Sequence, residues 1–137
     1  MDRQFEVRAI GVVRSSLTTL EQAPRQGDEG APGASIELDA DVWAGLEGIR
    51  VGQELILITW FHRARRDVLT LHARDDASRP LSGVFATRSP DRPNPIGIHR
   101  VRVLTLGPGR LEVEPLEAID GTPIIDIKPV LGALAER

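Results

Sequence analysis

Hydrophobic and polar residues alternate with a period of two along most of this chain, the repeat of a β-strand with one buried face. Residues 5–13 (FEVRAIGVV) predict a first strand, with Phe5, Val7 and Ala9 on one face and Glu6, Arg8 and Ile10 on the other. Gly11 inside it predicts a bulge or a close backbone approach. Residues 35–38 predict a short strand. Residues 53–61 (QELILITWF) form the most apolar run, with Leu55, Leu57 and Thr59 facing one way and Ile56, Ile58 and Trp60 the other. Apolar character on both faces predicts a central strand, buried on both sides or meeting a partner subunit. Residues 68–73 (VLTLHA) predict the returning strand of a hairpin, and 83–87 and 98–106 two further strands. Residues 110–116 place Leu111 and Val113 inward and Glu112 and Glu114 outward. Helical spacing occurs at Val42, Leu46 and Ile49, which predicts a short packing helix capped by Asp39 or Asp41 and stopped at Gly48, with Trp43 as a lid or partner contact. About seven strands, with turn signals every ~8–12 residues, predict an all-β barrel or sandwich rather than a doubly wound sheet.

Two stretches break the alternation and carry the polar chemistry. Residues 83–97 (GVFATRSPDRPNPIG) run from a strand into a loop whose Pro90, Pro93 and Pro95 each lock φ and remove a donor. The residues before them, Ser89, Arg92 and Asn94, are pushed to extended conformations. The result is a stiff bracket bearing Arg88, Asp91, Arg92 and Asn94, which loses little further entropy on binding. Its plainer reading is a rigid connection whose arginines pair with Asp91 and loop carbonyls. Residues 120–129 (DGTPIIDIKP) open on a tight-turn signal at Asp120-Gly121 and continue as a strand. The alternation there sets Thr122, Asp126 and Lys128 on one side, shared by Ile124. The segment 15–34 lacks any period and contains APRQGDEGAPGA; a loop this long is functional or mobile, with Arg25 and Gln26 its candidate working residues. The tail LGALAER predicts a short helix or a frayed end.

Composition narrows the classes. The 137 residues suit one domain, 1–137, with a core large enough to need no staple. There is no cysteine, so disulfides, thiolate nucleophiles and zinc-finger spacings are excluded. The N-terminal MDRQFEVR has no apolar leader, and no apolar run approaches the ~20 residues of a membrane span; the expectation is a soluble, cytoplasmic protein without a membrane partner. Nine arginines face four aspartates between His62 and Arg102, a local +5 within a chain of net −3. That imbalance predicts an anion-binding face rather than indiscriminate nucleic-acid binding, and guanidinium forks suit phosphate and carboxylate. The alternative is a sheet edge decorated with charge. All three histidines (62, 72 and 99) fall in the same segment, at spacings that give no local zinc site, and no metal is expected. No glycine fingerprint, P-loop, nucleophile elbow or zincin helix is present.

At FATRSPDRPNPIG (85–97) and DGTPIIDIKP (120–129) the chain closely resembles the TsaA/YaeB-like family, the family of tRNA methyltransferase O. APRQ (23–26) and WFHRARRD (60–67) fit the same pattern in the same order. The resemblance implies a single-sheeted β-barrel of about seven strands with one or two short helices. It also implies a homodimer, S-adenosyl-L-methionine as cofactor, and methylation of N6 of threonylcarbamoyladenosine at position 37 of tRNA. By motif, the cofactor pocket comprises Arg25, Gln26, Gly27, His62, Arg63, Arg88, Ile98, Asp120, Gly121, Thr122 and Pro123. Asp126 or Asp120 takes the proton released from N6, and Arg92, Asn94 and Lys128 meet the substrate. Larger bacterial members carry an extra C-terminal domain that these 137 residues do not contain. Val130 stands where an aromatic residue often follows DIKP, and residues 50–57 lack the usual His-Leu-Trp-like run. The missing domain keeps a second reading open, a non-catalytic module that binds S-adenosylmethionine or tRNA; a third is a hydrolase using His62 or His99 with a carboxylate.

Overall fold

The computed structural model describes residues 3–18, 33–72 and 75–132. Among them run eight strands: β1 (Gly11–Arg14), β2 (Ala34–Leu38), β3 (Glu54–Trp60), β4 (Thr70–His72), β5 (Leu81–Gly83), β6 (Ile96–Gly107), β7 (Arg110–Glu114) and β8 (Pro123–Pro129). Six close into an antiparallel barrel in the order β1-β2-β7-β6-β3-β8, while β4 and β5 pair apart from it. The all-β barrel is therefore the architecture, of the two that the pattern allowed. Every second residue of β3, β6 and β7 points inward, and Leu55, Leu57, Val101, Val103, Leu111 and Val113 fill the interior with Val13, Ile36 and Ile124.

Close approach explains one glycine. A Cβ on Gly11 would lie 2.7 Å from Leu38 Cδ2 and closer still to the Glu37 carbonyl oxygen, so β1 and β2 can meet there only without a side chain. A 3-10 helix, Ala40–Leu46, takes the place of the expected capped α-helix, and Asp39 precedes it without a side-chain cap. Val42, Leu46 and Ile49 nevertheless pack on the core as their spacing implies. Trp43 lies over the β6–β7 turn, and its Nε1 donates to the Leu38 carbonyl at 2.8 Å.

Four strand expectations change. The first strand begins at Gly11, because the ladder stops at Ile10, whose N–H goes to Ile124 O and whose C=O receives Asp39 N–H; Phe5 and Val7 are exposed. The strand read at 68–73 is not the hairpin return of β3: both edges of β3 are already taken by β6 and β8, so β4 pairs with β5. Residues 84–86 form a 3-10 turn rather than a strand, closed by Thr87 N–H to Val84 O at 3.0 Å. In β8 the register against β3 jumps from Thr59↔Ile124 to Ile58↔Asp126, leaving Ile125 as a bulge. Ile124 and Ile127 both face the core, so Asp126 and Lys128 lie on the outer face and no longer share a side with Thr122.

Candidate functional site

The ends of β1 and β3 and the starts of β6 and β8 meet at one end of the barrel, and the distinctive stretches meet there with them. The turn after β3 is stitched to the proline bracket by backbone bonds: Phe61 N–H to Pro95 O at 2.8 Å, and Arg92 N–H to Arg65 O at 3.0 Å. Asp91 Oδ1 accepts the Arg65 N–H at 2.8 Å. Arg66 braces the same joint. Its Nε donates to Pro93 O at 2.7 Å, its Nη2 to Asn94 Oδ1 at 3.0 Å, and its guanidinium stacks 5.1 Å over Trp60. Nothing local to Arg66 in the sequence announces that role; it depends on residues 27 and 28 positions away.

Within the bracket the two arginines part company. Arg92 is half-buried and spends its guanidinium on the carbonyls of Ser89 (2.9 Å), Thr87 (2.6 Å) and Val84, as the plainer reading of the loop has it. The Val84 carbonyl, at the start of the 3-10 turn, thus faces the guanidinium instead of a neighbouring strand. Arg88 is exposed, with no partner among the described residues. Asn94 is exposed and bonded to Arg66.

His62 and Arg63 are both exposed in the turn after β3. Arg63 Nη1 reaches Thr18 O at 3.2 Å, across to the segment leaving β1. Partial burial, with Arg63 next, lowers the His62 pKa below its ordinary value. On the opposite side, Asp120 Oδ1 accepts the Ser15 N–H at 3.0 Å, and Gly121, at φ +86°, gives its N–H to Val13 O at 2.7 Å. Thr122 is buried, its hydroxyl on Ile119 O at 2.7 Å, and Pro123 begins β8. A cleft of about 380 Å³, within the ~300–1,000 Å³ usual for small-molecule sites, opens beside Asp120 between Arg14, Ser15, Ser35 and Glu112. The Ser35 hydroxyl, 2.6 Å away, and then Arg110 hold Glu112 below the usual carboxylate range. His62 and Arg63 follow β3 at this barrel end and Arg88 is on the loop stitched to their turn, but none of the three lines this cleft. Ile98 is on the outer face of β6, opposite Ile58. Asp126 is ion-paired with Lys128 at 3.1 Å on that outer face, apart from Asp120. Arg25, Gln26 and Gly27 lie outside the described residues.

One group had a different setting in prospect. His99 is buried, with Nε2 2.6 Å from Thr59 Oγ1 and Nδ1 2.5 Å from Glu117 Oε1. Both ring nitrogens are engaged inside the protein, so this histidine meets no substrate. Among the described residues no three His, Cys, Asp or Glu side chains gather as a metal site, and no helix is long and apolar enough to cross a membrane.

Fold and site define a small closed-barrel protein with a braced arginine loop and a carboxylate-lined cleft at one end. The chain belongs to the tRNA-methyltransferase O N-terminal domain family, which matches residues 12–134. It is 41% identical over 124 residues to a probable S-adenosyl-L-methionine-binding protein of Archaeoglobus fulgidus, covering 90% of this chain and 33% of that protein. To a probable S-adenosyl-L-methionine-binding protein of Methanothermobacter thermautotrophicus it is 38% identical over 128 residues, covering 93% and 91%. The crystal structure of TrmO from Pseudomonas aeruginosa superposes with a TM-score of 0.74 at 30% identity, covering 98% of this chain and 60% of that one. The chain thus spans a third of the Archaeoglobus protein's length and about three fifths of the TrmO chain.

Proposed function

We propose that this protein is an S-adenosylmethionine-dependent tRNA methyltransferase of the β-barrel class that methylates N6 of threonylcarbamoyladenosine at position 37. The observation that carries the reading is the joining, at one barrel end of a member of this family, of the bracket that bears Arg88 to the His62–Arg63 turn, beside the start of β8 into which the Asp120-Gly121-Thr122 turn leads. The residues suit the cofactor: exposed guanidiniums for its carboxylate, and a half-buried carboxylate with turn backbone for its polar groups. The bound cofactor supplies an electrophilic methyl on a sulfonium. The protein's task is to hold donor and acceptor in line and to take up the N6 proton. Asp120, half-buried beside the cleft, is the proton acceptor this reading favours, with Asp126 the second choice. Arg63 and Arg88 bind cofactor, while Arg92 shapes the loop that carries Arg88. Asn94 and Lys128 complete the substrate side. Two copies pair through the outer face of β3 and β6, where Ile96 and Ile98 are about half exposed beside Ile56, Ile58 and Trp60. The setting is the cytoplasm, where tRNA is modified.

The test is transfer of tritium from labelled S-adenosylmethionine to tRNA bearing the threonylcarbamoyl group. Arg88→Ala removes one charge-assisted contact worth ~1.5–3 kcal/mol, a loss of roughly 10–150-fold in affinity, while melting should stay cooperative and unchanged. Undiminished turnover in that variant rules the assignment out. The second reading is a binding module without transfer, favoured because both archaeal relatives are described as probable S-adenosyl-L-methionine-binding proteins. Tight cofactor binding with no methylation of any tRNA selects it.

A further inference from the structure

We infer that His99 is a positioning residue that clamps the two cofactor-bearing segments of the barrel end to each other, an inference that rests on the functional reading above. Its ring lies between Thr59, the inward residue of β3 next to the Trp60–Arg63 run, and Glu117, three residues before Asp120. The His99 side chain is 1% exposed and that of Glu117 14%, so the bonds are shielded from water. With Glu117 as the carboxylate, Nδ1 carries the hydrogen it donates, and in the neutral ring Nε2 accepts the Thr59 hydroxyl hydrogen. The Phe61 ring packs edge-on against the imidazole, centroids 5.7 Å apart at 83°. Gly97 completes the clamp: a Cβ there would come within 2.6 Å of both Phe61 Cε2 and Thr59 Oγ1. Gly97 ends the proline bracket, Phe61 precedes His62, and Glu117 leads into Asp120-Gly121. One buried imidazole therefore sets the spacing of all three stretches without touching cofactor or substrate.

The experiment uses the full chain in four forms: wild type, Thr59→Val, Thr59→Ser and Glu117→Gln. Thr59→Val keeps the shape and deletes the hydroxyl; Thr59→Ser restores it. Labelled S-adenosylmethionine affinity and kcat/KM for methyl transfer should fall about 10²-fold in Thr59→Val and Glu117→Gln, as for a misplacement of ~1 Å, and return toward wild type in Thr59→Ser. Nitrogen-15 NMR of the wild-type imidazole should show hydrogen on Nδ1. Amide exchange at 62–63 and 120–123 should quicken in Thr59→Val beyond any change in global stability. The inference is overturned by hydrogen on Nε2 of a neutral ring, or by a folded Thr59→Val whose exchange at those amides and kcat/KM stay within about twofold of wild type. Wild type that neither binds cofactor nor transfers methyl refutes the functional reading instead, and the tautomer and exchange measurements then decide the clamp alone.

Discussion

Replacing Gly97 by Ala tests how tightly the end of β3 meets the bracket. The added methyl would stand 2.5 Å from Thr59 Oγ1 and 2.6 Å from Phe61 Cε2, and closer still to Cζ. Comfortable carbon contacts begin near 3.5 Å, so something must retreat by about 1 Å. Thr59 cannot, because it is fully buried and its hydroxyl is held 2.6 Å from His99. Phe61 must swing instead, carrying the chain toward His62 and Arg63. Overpacking of this kind costs ~1–3 kcal/mol. For a domain of this length each kcal/mol lowers Tm by about 3–5 °C, so a fall of about 3–15 °C is expected. Gly45→Ala is the control, since nothing lies within 4 Å of its added Cβ. Thermal melting and labelled-cofactor binding should both suffer in Gly97→Ala, and Phe61→Leu in that background should restore part of each. If Gly97→Ala melts with the control, and Phe61→Leu adds only its own loss, the close packing at this strand end is wrong.

Arg92→Met keeps the aliphatic stem but strands the Thr87 and Ser89 carbonyls, while that of Val84 keeps the Thr87 donors, and about 2 kcal/mol of stability should go with them; limited proteolysis should then cut within 84–95, and an uncut loop contradicts the bracing role. Gly109→Ala combines a positive φ of 64° with a Cβ only 2.6 Å from Trp43 Cζ2, so at least ~2 kcal/mol should be lost, and Trp43→Ala in the same chain should recover the steric part but not the backbone part. His62 titrates below its usual 6.5, so the folded state gives up a proton that the unfolded chain still holds. Its effect on stability is therefore favourable above pH 6.5 and declines as pH falls from there toward the lower folded value. Urea unfolding on both sides of that window should show a slope that His62→Gln flattens; an identical slope in the variant assigns the effect elsewhere.

The parts legible in the sequence are those where burial decides each position separately. Leu55, Leu57 and Thr59 lie inward and Leu111 and Val113 do too, because alternation on a half-buried strand has one solution. Gly11 and Gly48 announced a close approach and a helix stop, both of which are present. What escaped depends on distant partners. A bulge at Ile125 reverses the parity of β8 and moves Asp126 outward, and nothing in IIDIK marks it. Strand-favouring residues at 84–86 yield to a guanidinium eight positions from Val84. Thr59, His99 and Glu117 come together only after β6 has crossed to β3 and the chain has returned through β7, so no local spacing could pair them.

Closure of this barrel is uneven around its girth. β3 and β6 are joined along seven residue pairs, whereas the ladder of β1 and β8 has two, Gly11↔Ile124 and Val12↔Pro123, with backbone bonds from Ile10 and Val13 just outside it. Among the described strand ladders these partners are also the most widely separated in sequence, so this join should form late in folding and be the cheapest to part afterwards. Thermal opening should begin there like a seam giving way at its shortest stitch, beside Asp120, Gly121 and Pro123. The wall expected to close around a ligand is thus the one the cylinder can most easily unfasten, and an occupant that touched both lips would sew it shut.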